Sequence, residues 1–305
     1  MSFCIFDAHA DTISKLVENG GNISGNDCHF DLKRLKFPHI QVFAAFSEIK
    51  GDTAPEILKI IEKYYSFAEK SDFVHCNSYD DILQNKELKK PLSMLSIEGG
   101  DALCGSIEML KIYYKLGVRI INLTWNYSND IASGIMDKSD TGLTPFGESV
   151  VKEMNKLGIL IDVSHLSEKS FWDVIKITEK PIIASHSNSK KLCSHPRNLN
   201  NEQIKEIIKI NGCIGLNFYP LFLNDDKKSS IYDIIKHADY ILSLGGENSL
   251  GFGSDFDGID ALPQGINGVE SYYEIVNEFL KHGYKEELMR KICSENFLRV
   301  IREVL

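Results

Sequence analysis

Ile159-Leu160-Ile161-Asp162-Val163-Ser164-His165 and Pro181-Ile182-Ile183-Ala184-Ser185-His186 decide the fold of this chain. Each is a short, nearly continuous apolar run that closes on a histidine, as expected of parallel strands buried on both faces. Between them, Ser167-Glu-Lys-Ser-Phe-Trp-Asp-Val-Ile is an amphipathic segment that fills the gap, so the order reads strand, helix, strand. The same grammar runs outward in both directions. Candidate strands start near Cys4, Ile40, Leu92, Arg119, Ile159, Pro181, Cys213 and Leu250. Helices are expected after a Thr53 cap, from Thr144-Pro145 to Leu157 with Gly158 as the stop, from Asn200, and over Ile231–Leu244. Two more, near Val269–Lys281 and Lys285–Ile301, close the chain, and Asn19–Phe37 reads as a long loop. Eight strands alternating with helices predict an α/β fold of the (β/α)8 TIM-barrel type, one catalytic domain over residues 1–305 with C-terminal helices.

Composition narrows the function. The 305 residues are 43% hydrophobic and 25% charged, with a net charge of −9, which disfavours a nucleic-acid partner. No signal peptide and no apolar stretch of roughly 20 residues is visible, so no membrane partner is expected. The seven cysteines are odd in number and hold no Cys-x-x-Cys pair. That fits reduced thiols in a cytoplasmic protein.

Chemistry in a parallel barrel sits at the C-terminal ends of the strands. His9-Ala10-Asp11 ends the first apolar run, and Glu98 ends another just before Gly99-Gly100, where the backbone can turn closely. His165 and His186 end the two runs quoted above. Three histidines and two carboxylates at strand ends suit divalent zinc or a similar metal. Five ligands exceed one catalytic ion with an open position but serve two ions that share a carboxylate. His9 and Asp11, at i and i+2, would point to the same side of a strand. Asp255, in Gly251-Phe-Gly-Ser-Asp-Phe-Asp-Gly258, ends the last run as a candidate proton carrier, while Asp257 beside Gly258 suits a turn. Arg197, in His195-Pro-Arg-Asn198, has the fork geometry for a carboxylate. Ser187-Asn-Ser-Lys190 is read only as a helix start.

Taken together, Asp7-Ala-His9-Ala-Asp11, Ser96-Ile-Glu98-Gly-Gly, Gly142-Leu-Thr-Pro-Phe-Gly147, Ile161-Asp-Val-Ser-His165, Ser185-His186-Ser187, Pro196-Arg197-Asn198 and Ser254-Asp255-Phe-Asp-Gly258 resemble the membrane (renal) dipeptidase family of zinc metallopeptidases, as a bacterial-type soluble member. They occur in family order and cover nearly the whole chain. The resemblance implies two zinc ions, one held by His9, Asp11 and Glu98, the other by Glu98, His165 and His186. It further implies Arg197 on the substrate's terminal carboxylate, Asp255 at the scissile nitrogen, a small dipeptide as substrate and a possible homodimer. Trp125 departs from the family, since animal members carry a substrate-contacting histidine after Leu-Thr. An indole N–H can donate a hydrogen bond but cannot ionise as imidazole does.

The expected reaction is attack on the peptide carbonyl by a hydroxide shared between two ions roughly 3.5–4 Å apart, with Asp255 moving the proton to the leaving amine. Glu98 serves as the shared carboxylate, and Trp125 lies where it could face substrate. Two alternatives stand beside this reading. One is an amidohydrolase acting on a cyclic amide, a lactone or an N-acyl amino acid. The other is a non-catalytic ligand-binding barrel.

Overall fold

Nine parallel strands form among the residues that the computed structural model describes, which are 3–48, 53–70, 72–88, 90–226 and 228–305. In chain order they are β1 (Ile5–Ala10), β2 (His39–Phe46), β3 (Val74–His75), β4 (Leu92–Glu98), β5 (Val118–Asn122), β6 (Leu160–Asp162), β7 (Ile183–Ala184), β8 (Cys213–Leu216) and β9 (Leu250–Phe252). Eight of them close a barrel. β1 pairs with β9 and β2, and β2 pairs with β4 from Ile40 opposite Leu92 to Phe46 opposite Glu98. From β4 the order continues through β5, β6, β7 and β8 back to β9. The fold is therefore the expected (β/α)8 barrel, with one strand more than the sequence indicated. β3 is a two-residue addition that pairs with Leu92 and Ser93, on the edge of β4 that β5 takes over from Leu95. A segment that short carries no readable period.

The helices follow their caps. Thr144 accepts a hydrogen bond from Gly147 N ahead of helix Pro145–Leu157, and Ser167 accepts one from Ser170 N ahead of Glu168–Ile177. Asn200 and Gln203 form a reciprocal capping box at Asn201–Lys209. Three expectations need correction. Thr53 makes no side-chain cap for Ala54–Glu69. Ser187–Lys190 starts no helix; Ser189 instead pairs with Leu199. The final helix is interrupted, running Glu286–Arg290, then a π-turn over Lys291–Glu295, then Asn296–Val304. Among the described residues no helix is long and apolar enough to cross a membrane, and none of the cysteines is joined in a disulfide.

Side-chain alternation divides the barrel into layers. In β4, Leu95 and Ile97 join the outer core against the helices, while Leu92 and Met94 join an inner cluster. That cluster holds Phe6, Val42, Ile120, Leu160, Ile183 and Cys213, and it is closed from below by Phe297, Val300, Ile301 and Val304 of the last helix. With a period of two, the inward series of β4 continues through Ser96 to Glu98, so the carboxylate arrives at the top of the lumen. β1 needs a further device. Phe6 and Ala8 already face the inner cluster, so strict alternation would turn His9 outward. The register slips by one between Asp7 opposite Gln41 and Ala10 opposite Phe43. This bulge lets Ala8 and His9 both face the lumen.

Candidate metal centre

Glu98 is the hub of the upper lumen. Its Oε2 lies 3.3 Å from His9 Nε2, and its Oε1 lies 2.9 Å from His165 Nε2 and 3.7 Å from His186 Nε2. The two oxygens thus face His9 on one side and His165 and His186 on the other. Asp11 Oδ2 stands 3.3 Å from His9 Nε2, and the ligand atoms of His9, Asp11 and Asp255 gather within 4.8 Å of one another, as do those of Glu98, His165 and His186. All six residues are buried. The structure therefore brings together every residue expected to bind metal. Asp11 comes from just beyond β1, at the cap position of helix Thr12–Asn19, and not from the strand itself.

The backbone is bent to present these groups. His165 and Asp255 are non-glycine residues in the left-handed region, with φ of 71° and 64°. Such positions are uncommon and cluster at functional sites. Gly99, directly after Glu98, adopts φ of 94°, which fits the close turn expected there. Gly258 answers a different need. A Cβ at this position would collide with carboxylate oxygens of both Asp11 and Asp255. Asp257 is held as a turn residue, accepting hydrogen bonds from His29 N at 2.7 Å and Thr12 Oγ1 at 2.6 Å.

Several partners that orient the site were not visible in the sequence. Asn126 Oδ1 lies 2.9 Å from His165 Nδ1, Ser185 Oγ lies 2.7 Å from His186 Nδ1, and Asn217 Nδ2 donates to Asp255 Oδ2 at 2.9 Å. The first two fix which ring nitrogen is free to face Glu98. Asp162 is fully buried one turn of the strand pattern below the histidines, and only its place inside an apolar run could have flagged it.

Burial and neighbouring charges shift the groups of the cluster in opposite directions. Burial pushes Asp255 up to about 7 and Asp11 up to about 6, with the neighbouring carboxylates adding to both shifts. Burial lowers His165 to about 4 and holds His186 well below the usual imidazole range. His9 moves the other way despite its burial, because Glu98 and Asp11 flank it. Burial also opposes ionisation of Glu98, but His9 and His165 outweigh it and keep the carboxyl far below its usual value. His9 Nε2 and Asp11 Oδ1 are buried without a hydrogen-bond partner. Orphaned donor atoms of imidazole and carboxylate type, converging in a buried cluster, fit a divalent metal such as zinc.

Asp11, Glu98 and His165 of the cluster line a cavity of about 540 Å³, whose walls also include Phe46, Trp125, His195, Arg197 and Asp255. Trp125 packs on Phe46 with ring centroids 5.2 Å apart and lies 6.3 Å from the His165 ring. Arg197 is buried, its Nη2 donates to His186 O at 3.4 Å, and its Nε has no partner. Burial lowers it to about 10, so it remains a cation near neutrality.

Comparison with known proteins agrees with this geometry. The family model "Membrane dipeptidase (Peptidase family M19)" matches residues 1–305. A Klebsiella pneumoniae protein described only as uncharacterized, from the pqqA 5' region, is 36% identical over 239 residues, 75% of this chain and 88% of that protein. A metallopeptidase from Rhodobacter sphaeroides, solved with a phosphinate mimic of the dipeptide L-Ala-D-Ala, superposes with a TM-score of 0.92 at 26% identity over 100% of both chains. A dipeptidase described as a metallopeptidase of family M19 gives 0.92 at 28% identity, over 100% of this chain and 99% of the other.

Proposed function

This chain belongs to the membrane dipeptidase family of metal-dependent hydrolases, and from that premise we propose that it is a zinc-dependent dipeptidase acting on dipeptides with a free C-terminal carboxylate, L,D-dipeptides included. Residues 1–305 act as one catalytic domain. The reading is carried by one observation: Asp11, Glu98 and His165 of the donor cluster and the buried, partly unpartnered Arg197 guanidinium line the same cavity, with His9 and His186 gathered behind them. His9, Asp11 and Glu98 would hold one zinc ion, and Glu98, His165 and His186 the second. When bound, the ions supply Lewis acidity toward the peptide carbonyl and a water acidic enough to attack near neutrality.

The chain's own residues do the rest. Arg197 receives the terminal carboxylate through its fork of N–H groups and fixes the peptide's direction. A longer peptide has no carboxylate at that position, which selects for dipeptides. Asn217 holds Oδ2 of Asp255, leaving Oδ1 to take a proton from the attacking water and deliver it to the leaving amine. Trp125 and Phe46 form an apolar wall over the scissile bond, with the indole N–H as a donor to the carbonyl oxygen. The ligand of the Rhodobacter sphaeroides protein supports both a dipeptide substrate and a D-residue at its second position.

Amino-acid release from a panel of L,L- and L,D-dipeptides, with their C-terminal amides alongside, tests the proposal. Zinc-loaded protein should cleave free acids and leave the amides intact. Equal cleavage of acids and amides would remove Arg197 from substrate capture. Failure on every member would shift the reading to another amide or lactone substrate.

A further inference from the structure

One layer beneath the metal centre, the lumen contains a carboxylate that touches no substrate-facing surface. Asp162 follows Leu160 in the inward series of β6 and is 0% exposed. It takes no part in the walls of the 540 Å³ cavity. Its Oδ1 accepts N–H groups from Ser164 at 2.9 Å and Ser185 at 3.0 Å, linking the ends of β6 and β7 that carry His165 and His186. Its Oδ2 is buried and accepts nothing. Across the register sits Asn122, whose side-chain amide is also buried and unbonded, so no cation from β5 neutralises the carboxylate. Ligand atoms of Asp162, His9 and His186 lie within 4.8 Å of one another, and Arg197 feels the charge of Asp162 as well.

A buried charge must be balanced nearby, because the low-dielectric interior does not screen it. The chamber holds four carboxylates, Asp11, Glu98, Asp162 and Asp255, against one permanent cation, Arg197. At the rim, Asp257 is already engaged by N–H and hydroxyl donors, and Lys15, Glu18 and Glu48 are exposed and screened by solvent. With the histidines neutral and the carboxylates ionised, as metal ligation requires, the chamber is three charges negative. One divalent ion leaves it negative, and a second brings it just past neutrality. Without Asp162, a single ion would already balance the chamber.

Building on the two-ion reading above, we propose that Asp162 is a counter-charge and positioning residue that sets the ion stoichiometry of the site, making the second ion bind tightly without itself ligating either one. Asp162→Asn separates this role from a structural one, since the amide keeps Oδ1 as acceptor for Ser164 and Ser185 and removes only the charge. The experiment titrates zinc into metal-free wild type and variant against a competing chelator. Cobalt absorption serves as a second readout of each ion's environment, and thermal unfolding of both metal-free proteins is measured in parallel. Wild type should take up two ions. The variant should bind its first ion as wild type does and its second about 10–100-fold more weakly, and its metal-free form should unfold no lower than wild type. Two ions bound with unchanged affinity would overturn the proposal. So would equal weakening of both ions with a lower metal-free midpoint, the mark of a structural role. A wild-type chain that binds only one ion would instead overturn the two-ion reading on which this rests.

Discussion

At the bottom of the barrel, Phe297, Val300, Ile301 and Val304 press into a plug of Phe6, Val42, Met94, Ile120 and Leu160. At the top, the same strands end in His9, Asp11, Glu98, His165 and Asp255, with buried atoms left without hydrogen-bond partners and two residues in left-handed backbone. The lower end is apolar and makes the chain stable. The upper end gathers carboxylates that repel one another and suit a cation. Stability and chemistry are thus separated along one axis, and a substitution should disturb one end without the other.

The largest expected effect tests the upper end. Asp255→Asn should cut turnover by about 10²–10⁴-fold, the range for loss of a general acid–base. The same change removes one of several repelling carboxylates, so the metal-free variant should unfold at or above the wild-type midpoint. A fall in both activity and midpoint would break the separation. Phe297→Ala tests the lower end with the opposite pattern. The ring stacks on Phe6 with centroids 5.1 Å apart and is 1% exposed, so its loss should cost about 3–5 kcal/mol in a denaturant melt. Turnover per folded molecule should hold; a parallel loss of kcat would show that the plug also shapes the site. The smallest effect belongs to neither end. Asn200→Ala removes one half of a capping box on the outer ring and should cost about 1 kcal/mol with no change in kcat or KM.

Much of this division was legible in the chain. The apolar runs gave eight of the nine strands, and Thr144, Ser167 and Asn200 marked helix starts that the structure retains. His9, Glu98, His165 and His186 stood out because donors of one chemical class recur where strands end. The partners Asn126, Asn217 and Ser185 carried no such signal. Each is an ordinary polar residue until the barrel closes and sets it against a particular histidine or carboxylate. The slip in β1 was equally silent, because an extra strand residue leaves no mark in composition.

The sequence by itself determined the alternation of strand and helix and the kinds of donor available, since local periodicity and side-chain chemistry belong to the chain. Only the tertiary structure decided that both oxygens of Glu98 are used, that His9 turns inward past a bulge, and that Asp162 lies beneath both histidines with one oxygen unpaired. Those facts depend on the register between strands far apart in sequence. Register is fixed by closure of the whole barrel and not by any segment of it.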